Sequence, residues 1–177
     1  MHDSTETKPD TPPDWDAMYR EGTPAWETGT PAMELVHSLD AAGKAKAVLA
    51  EESLKEIRAA GEPQSPAEPL VGIRYAELPK KGQSLLEQLV KTYCSAMPEE
   101  VAAERLSLIE AAEGGWNDIH FSWAGALEPG IGHSYRIEGA TFVIEFVNVQ
   151  PDAEGNIANH IHCVWRDKTG DFDLPAA

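Results

Sequence analysis

The hydrophobic positions of this chain change period near residue 115. Before it they recur at three- and four-residue intervals; after it they alternate. Within residues 84–97, Leu85, Leu86, Leu89, Val90 and Tyr93 fall on one stripe of a helix. Pro98-Glu99-Glu100 opens a second helix with acids in the first turn, where they favour the helix dipole. Val101, Leu106, Leu108 and Ile109 are its apolar members, and Gly114-Gly115 stops it. Four strands follow, over 118–124, 133–138, 141–148 and 159–167, with a tight turn at Gly139 between the second and third. Together they read as one antiparallel meander.

Side chains alternate across a strand, so each segment divides into two faces by parity. One face collects Ile119, Phe121, Trp123, His133, Tyr135, Ile137, Phe142, Ile144, Phe146, Ile161, Cys163 and Trp165, and is the expected core face. The other collects His120, Ser122, Ser134, Arg136, Glu138, Thr141, Val143, Glu145, His160, His162, Val164 and Arg166. A two-residue loop at Gly139-Ala140 would set Ile137 opposite Phe142 and Ser134 opposite Glu145. A helix pair followed by such a meander predicts an α+β fold with the helices on the apolar face. The polar face is then left open to water, a ligand or a partner, a second copy of the chain included.

The earlier chain is less regular. Residues 1–14, rich in Thr, Asp and Pro, cannot bury anything and predict a disordered acidic tail. Residues 15–43 form an arm rich in Trp and Pro that leads into a helix near 32–42. Residues 44–60, with Val48, Leu49, Leu54 and Ile57, predict another helix ended by Gly61, and Pro63, Pro66 and Pro69 mark a linker. The division is therefore a tail, an arm, a helix with a Pro-rich linker over 44–69, and an α+β domain over 70–177.

Composition narrows the function. A net charge of −16 and a pI near 4.6 argue against nucleic acid and anionic membrane surfaces, which are bound by the Lys and Arg this chain lacks. No window is long and apolar enough to span a bilayer, and the N-terminus has neither a basic start nor an apolar run, so a cytoplasmic protein is expected. Cys94 and Cys163 read as small buried residues in a reducing compartment.

The candidate chemistry is on the polar face. His160 and His162 stand two residues apart on one strand, about 6.6 Å between Cα atoms, close enough to share a metal. With His120 and Glu145 on the same face, the set His120, Glu145, His160 and His162 would suit zinc, iron or manganese and leave room for an activated water. Hydrogen-bonded surface histidines give the same pattern. Arg136, Glu145, Arg166 and Asp167 are the candidate ligand-binding residues, either as a clamp for a carboxylate or as cross-strand ion pairs, with ion pairs preferred. His133, on the apolar face, reads as a core histidine.

Two resemblances bear on these readings. Residues 15–31, from Trp15-Asp16-Ala17-Met18-Tyr19 through Gly22-Thr23-Pro24-Ala25-Trp26 to Gly29-Thr30-Pro31, resemble the head of methyltransferases related to thiopurine methyltransferase. That resemblance implies S-adenosylmethionine chemistry, but no glycine-rich loop for the cofactor follows. Over about residues 45–173 the chain resembles the bacterial family called domain of unknown function 3500. The residues that carry this are Pro69-Leu70-Val71-Gly72-Ile73, His120-Phe121-Ser122-Trp123-Ala124-Gly125, Glu128-Pro129-Gly130, His133 to Gly139, Phe142 to Phe146, Asn159-His160-Ile161-His162 and Val164-Trp165-Arg166-Asp167. The resemblance implies correspondence to the C-terminal half of longer members and, because that family has no assigned reaction, supplies no chemistry. The expected function is binding of a divalent metal or small molecule on the His-rich face. A metal-dependent hydrolase in which Arg136 polarises the substrate, a remnant of a methyltransferase fusion, and an interaction module without catalysis remain as alternatives.

Overall fold

The computed structural model describes residues 30–62, 64–155, 157–168 and 170. The expected tail and the arm as far as residue 29 lie outside them. Helix α1 (Thr30–Ser38) and helix α2 (Ala41–Ala47) are separated at Asp40, whose side chain accepts the Gly43 N–H at 2.7 Å and caps α2. Strand β1 (Val48–Ala50) follows directly, and β2 (Ile73–Arg74) comes after a long connector. Helix α3 (Lys80–Ser95) and helix α4 (Glu99–Ala111) precede β3 (His120–Gly125), β4 (His133–Glu138), β5 (Phe142–Gln150) and β6 (His160–Asp167). Among the described residues no helix is long and apolar enough to cross a membrane.

The expected meander β3-β4-β5-β6 is present and antiparallel throughout, in a sheet of six strands. Two short strands extend it at the outer edge of β3, where β1 runs parallel beside Trp123 and Ala124 and β2 antiparallel beside His120 and Phe121. The β4–β5 register differs from expectation by two residues: Ile137 faces Ile144 and Ser134 faces Val147. The turn falls at Ala140-Thr141, with the Gly139 N–H donating to Phe142 O at 3.0 Å. A Cβ on Gly139 would come within 2.8 Å of the Phe142 ring, so the glycine serves close approach beside the turn. An even shift preserves parity, and the two faces keep their predicted members.

The apolar face carries the core. Trp123, Tyr135 and Phe146 are stacked with His133 between Trp123 and Phe146, at centroid distances from 4.7 to 6.3 Å. Leu86, Leu89, Val90 and Tyr93 of α3 and Leu35 and Val36 of α1 bury against this face, and the Tyr93 and Tyr135 hydroxyls meet at 2.8 Å inside it. The covering pair is therefore α1 with α3 rather than α3 with α4. Helix α4 buries only Ile109 and leaves Leu108 exposed, because its apolar residues do not align on one stripe. Cys163, placed in the core by parity, is exposed.

The expected helix over 44–60 ends at Ala47. Val48 joins the sheet edge, and the described residues of 51–72 leave the helical side and cross the polar face. Leu54 N–H donates to Ser134 Oγ on β4 at 3.3 Å, Glu56 reaches His162 on β6, Arg58 reaches Glu145 on β5, and Glu68 returns to Arg136 on β4. The return closes at Gly72, whose φ is +99° and where a Cβ would lie 2.1 Å from Phe121 O. The linker is a cover.

Replacing Gly72 by Ala sets a β-carbon against backbone in a conformation that L residues avoid. Denaturant unfolding should show a loss of about 2 kcal/mol or more. Leu89→Ala, at a position 1 % exposed, should cost about 2–5 kcal/mol in the same assay.

Candidate functional site

Each strand of the meander contributes one residue per row to the covered face, and most of the polar ones sit on the two central strands. One row runs Ser122, Arg136, Glu145, Val164 from β3 to β6, and the next runs Ala124, Ser134, Val147, His162. Arg136, Glu138, Glu145 and Arg166 are all buried. Charges in such a position persist only where paired, and the partners come mainly from the connector. Arg136 contacts Glu138 Oε2 at 2.8 Å along its own strand and Glu68 Oε2 at 3.2 Å from the connector. Glu145 takes the Nε–H of Arg58, which also binds Glu68. Arg166 donates to the carbonyls of Ala59 and Gln64, both at 3.1 Å. Lys168 donates to Glu138 Oε1 at 2.9 Å. Burial works against the Arg58 cation, but its bonds to Glu145 and then Glu68 prevail and hold its pKa above the ordinary value.

These partners correct the expected cross-strand pairing. Arg136 and Glu145 stand directly opposite, yet each turns to a different partner. Asp167 is on the helical face, where it accepts from Trp165 Nε1 at 3.1 Å and pairs with Arg105 of α4. Parity alone would have excluded it from the set, since it is two residues from Trp165.

The four expected metal ligands are only partly assembled. His160 and His162 touch, with their Nε2 atoms 2.9 Å apart, and His162 Nδ1–H donates to Glu56 at 2.6 Å. The His162 hydrogen bond holds the Glu56 carboxyl below the usual range. His120 lies three strands away, about 14 Å by strand spacing alone, and in a different row. It donates to Asp118 O at 3.1 Å. Glu145 is committed on one oxygen to Arg58. Among the described residues no group of three or more His, Cys, Asp or Glu could hold a metal ion.

Between the connector and the two central rows lies a cavity of about 380 Å³. Its floor includes Ser122, Ala124, Ser134, Arg136, Glu145 and Val147, and its roof and rim include Leu49, Leu54, Arg58, Glu68, Pro69 and Val71. The lining is mostly apolar, with a few convergent polar groups, which is the usual character of a small-molecule site of about 300–1,000 Å³. Glu145 Oε2 is buried there without a hydrogen-bond partner among the described residues. Leu49 and Leu54 are 52 % and 45 % exposed, which gives the mouth a greasy rim. Glu56 and Arg58 were absent from the expected site because residues 44–60 read as a helix, and Glu68 because the Pro-rich stretch that follows reads as a linker.

On the opposite face His133 is the core histidine expected. It is 4 % exposed, stacked 4.8 Å from Trp123, and its Nδ1–H donates to Ile131 O at 3.0 Å. Burial pushes its pKa below the ordinary value.

A model of the family described as a protein of unknown function (DUF3500) matches residues 8–174. That range extends the expected 45–173 and takes in the arm compared with methyltransferase heads. No curated protein matches, methyltransferases included, and no solved structure matches.

Arg166→Met removes both bonds to the connector, so residues 51–72 should exchange amide hydrogens faster and be cut sooner by protease while the meander stays protected, at a cost of about 1.5–3 kcal/mol. For His133, the unfolded state takes up a proton below pH 6.5 while the folded ring stays neutral, so stability falls as pH drops from 6.5 toward the depressed folded value. His133→Phe should flatten that part of the melting-temperature profile relative to the parent.

Proposed function

We propose that this chain, which belongs to the DUF3500 family of proteins of unknown function, acts by binding a small molecule in the cavity between its connector and the polar face of its sheet. The observation that carries the reading is a mostly apolar cavity of about 380 Å³ with a buried, half-partnered Glu145 in its wall. Building ionised groups into a cavity wall is costly, and a wall intended only for packing would be apolar. The connector supplies both the charged partners and the greasy roof. The site therefore exists only when residues 51–72 lie on the sheet.

The histidines have a different place in this reading. The Glu56–His162–His160 chain fastens the turn of the connector to the outer strand and is not among the residues lining the cavity. The favoured function is binding of an organic molecule rather than of an ion on the His-rich edge.

Ligand-observed NMR with a fragment library on the full chain tests the reading. Fragments should bind the parent protein and lose affinity by at least tenfold in Ala124→Leu, which places a larger side chain on the cavity floor. Retention of the parent melting temperature would show that the sheet is intact. Absence of binders, or binders indifferent to Ala124→Leu, would refute a site in this cavity.

A further inference from the structure

We infer that the molecule held in this cavity is an amphiphilic cation, with an apolar body between connector and sheet and one positive end, an amine or quaternary ammonium, at the mouth. This depends on the binding site proposed above and adds the chemical class of its occupant. The apolar body follows from the wall. Leu54, Pro69, Val71, Ala124 and Val147 line the cavity with hydrocarbon side chains, and Leu49 at the mouth is 52 % exposed. Removing apolar surface from water is the main attraction such a wall offers a ligand.

The sign of the charged end follows from how the charges are layered. The charged residues lining the cavity are Glu52, Glu68 and Glu145 against Arg58 and Arg136, so carboxylates are in excess. Both guanidiniums are already engaged, Arg58 by Glu68 and Glu145, and Arg136 by Glu68 and Glu138. An anionic ligand would have to take a guanidinium from its carboxylates, and Glu145 and Glu138 would then be left buried without a cation. Depth sorts the charges as well. The side chains of Arg136 and Arg58 are 9 % and 21 % exposed, whereas Glu68 is 45 % exposed and Glu52 is also on the surface. Among the described residues no ion pair engages Glu52. What faces water around the cavity is therefore carboxylate, on a chain whose net charge is −16. A cleft of one sign between low-dielectric walls draws the opposite charge to its opening. A neutral molecule gains nothing from that field, and an anion is repelled by it.

The experiment is isothermal titration of the full chain at low salt with three probes of one chain length: octyltrimethylammonium, 1-octanol and octanoate. The ammonium probe should bind one to one, about tenfold more tightly than octanoate and more tightly than octanol. That margin should shrink at about 0.5 M salt, because charges at an open mouth are screened. Glu52→Lys reverses one exposed charge and should bring the ammonium and carboxylate probes together while octanol binds as before; an unchanged margin would overturn the role given to Glu52. Octanol or octanoate binding the parent as tightly as the ammonium probe would overturn the cationic assignment and leave the cavity established as an apolar site. Ammonium binding that survives Ala124→Leu would be attraction to the acidic surface at large, and would overturn it as well. If none of the probes binds, the assignment falls, and the fragment screen with Ala124→Leu separately decides whether the cavity is a site at all. Comparing probes on the parent needs no variant, so the sign of the ligand is decided even if Glu52→Lys folds poorly.

Discussion

Four buried ionic side chains on one face of a β-sheet are tolerable only if something brings them partners, and the segment crossing that face does so. Arg136, Glu138, Glu145 and Arg166 stand where an ordinary half-open sheet would meet water. The connector brings Arg58, Glu68 and two backbone carbonyls to them. The relation is mutual. A stretch of about twenty residues without regular structure would otherwise have little reason to keep one path, and the buried charges give it several fixed points. Buried ion pairs of this kind contribute more to choosing one arrangement than to net stability, because desolvation offsets much of their attraction.

That constraint divides the molecule into two layers around one sheet. On the helical side, α1 and α3 close over a stack of aromatic rings, and the packing is mostly apolar. On the other side the cover is a single strand of chain fixed by charges, and it does not fill the space beneath it. The helical side accordingly serves stability, and the cavity belongs to the side whose cover is the thinner. Loops that move or admit ligands are generally drawn from the less stable part of a fold.

The gap between the expected and the observed site has a physical origin. Period-two alternation places a residue on a face but says nothing of its distance along or across the sheet. His120, Glu145, His160 and His162 do share a face, yet register puts His120 at the far edge and row from the other two histidines. Asp167 shows the reverse: alternation assigns it to the helical face, and Arg105 meets it there. Glu56 and Arg58 lay in a segment whose composition reads as a helix, and Glu68 in one whose prolines signal irregular backbone, which has no periodicity from which a facing surface could be read.

What the sequence alone determined is whatever depends on neighbours within one element: the α3 stripe, the four meander strands, their two faces and the core role of His133. Those follow from a fixed residue spacing that holds wherever the element sits. Only the tertiary structure decided that α1 rather than α4 completes the helical cover, that the turn lies at Ala140-Thr141, and that residues 51–72 fold back across the sheet. Each of these depends on groups far apart in the chain meeting, above all Arg58 with Glu145 and Glu68 with Arg136. A charge or a proline in sequence carries no record of the partner that will satisfy it.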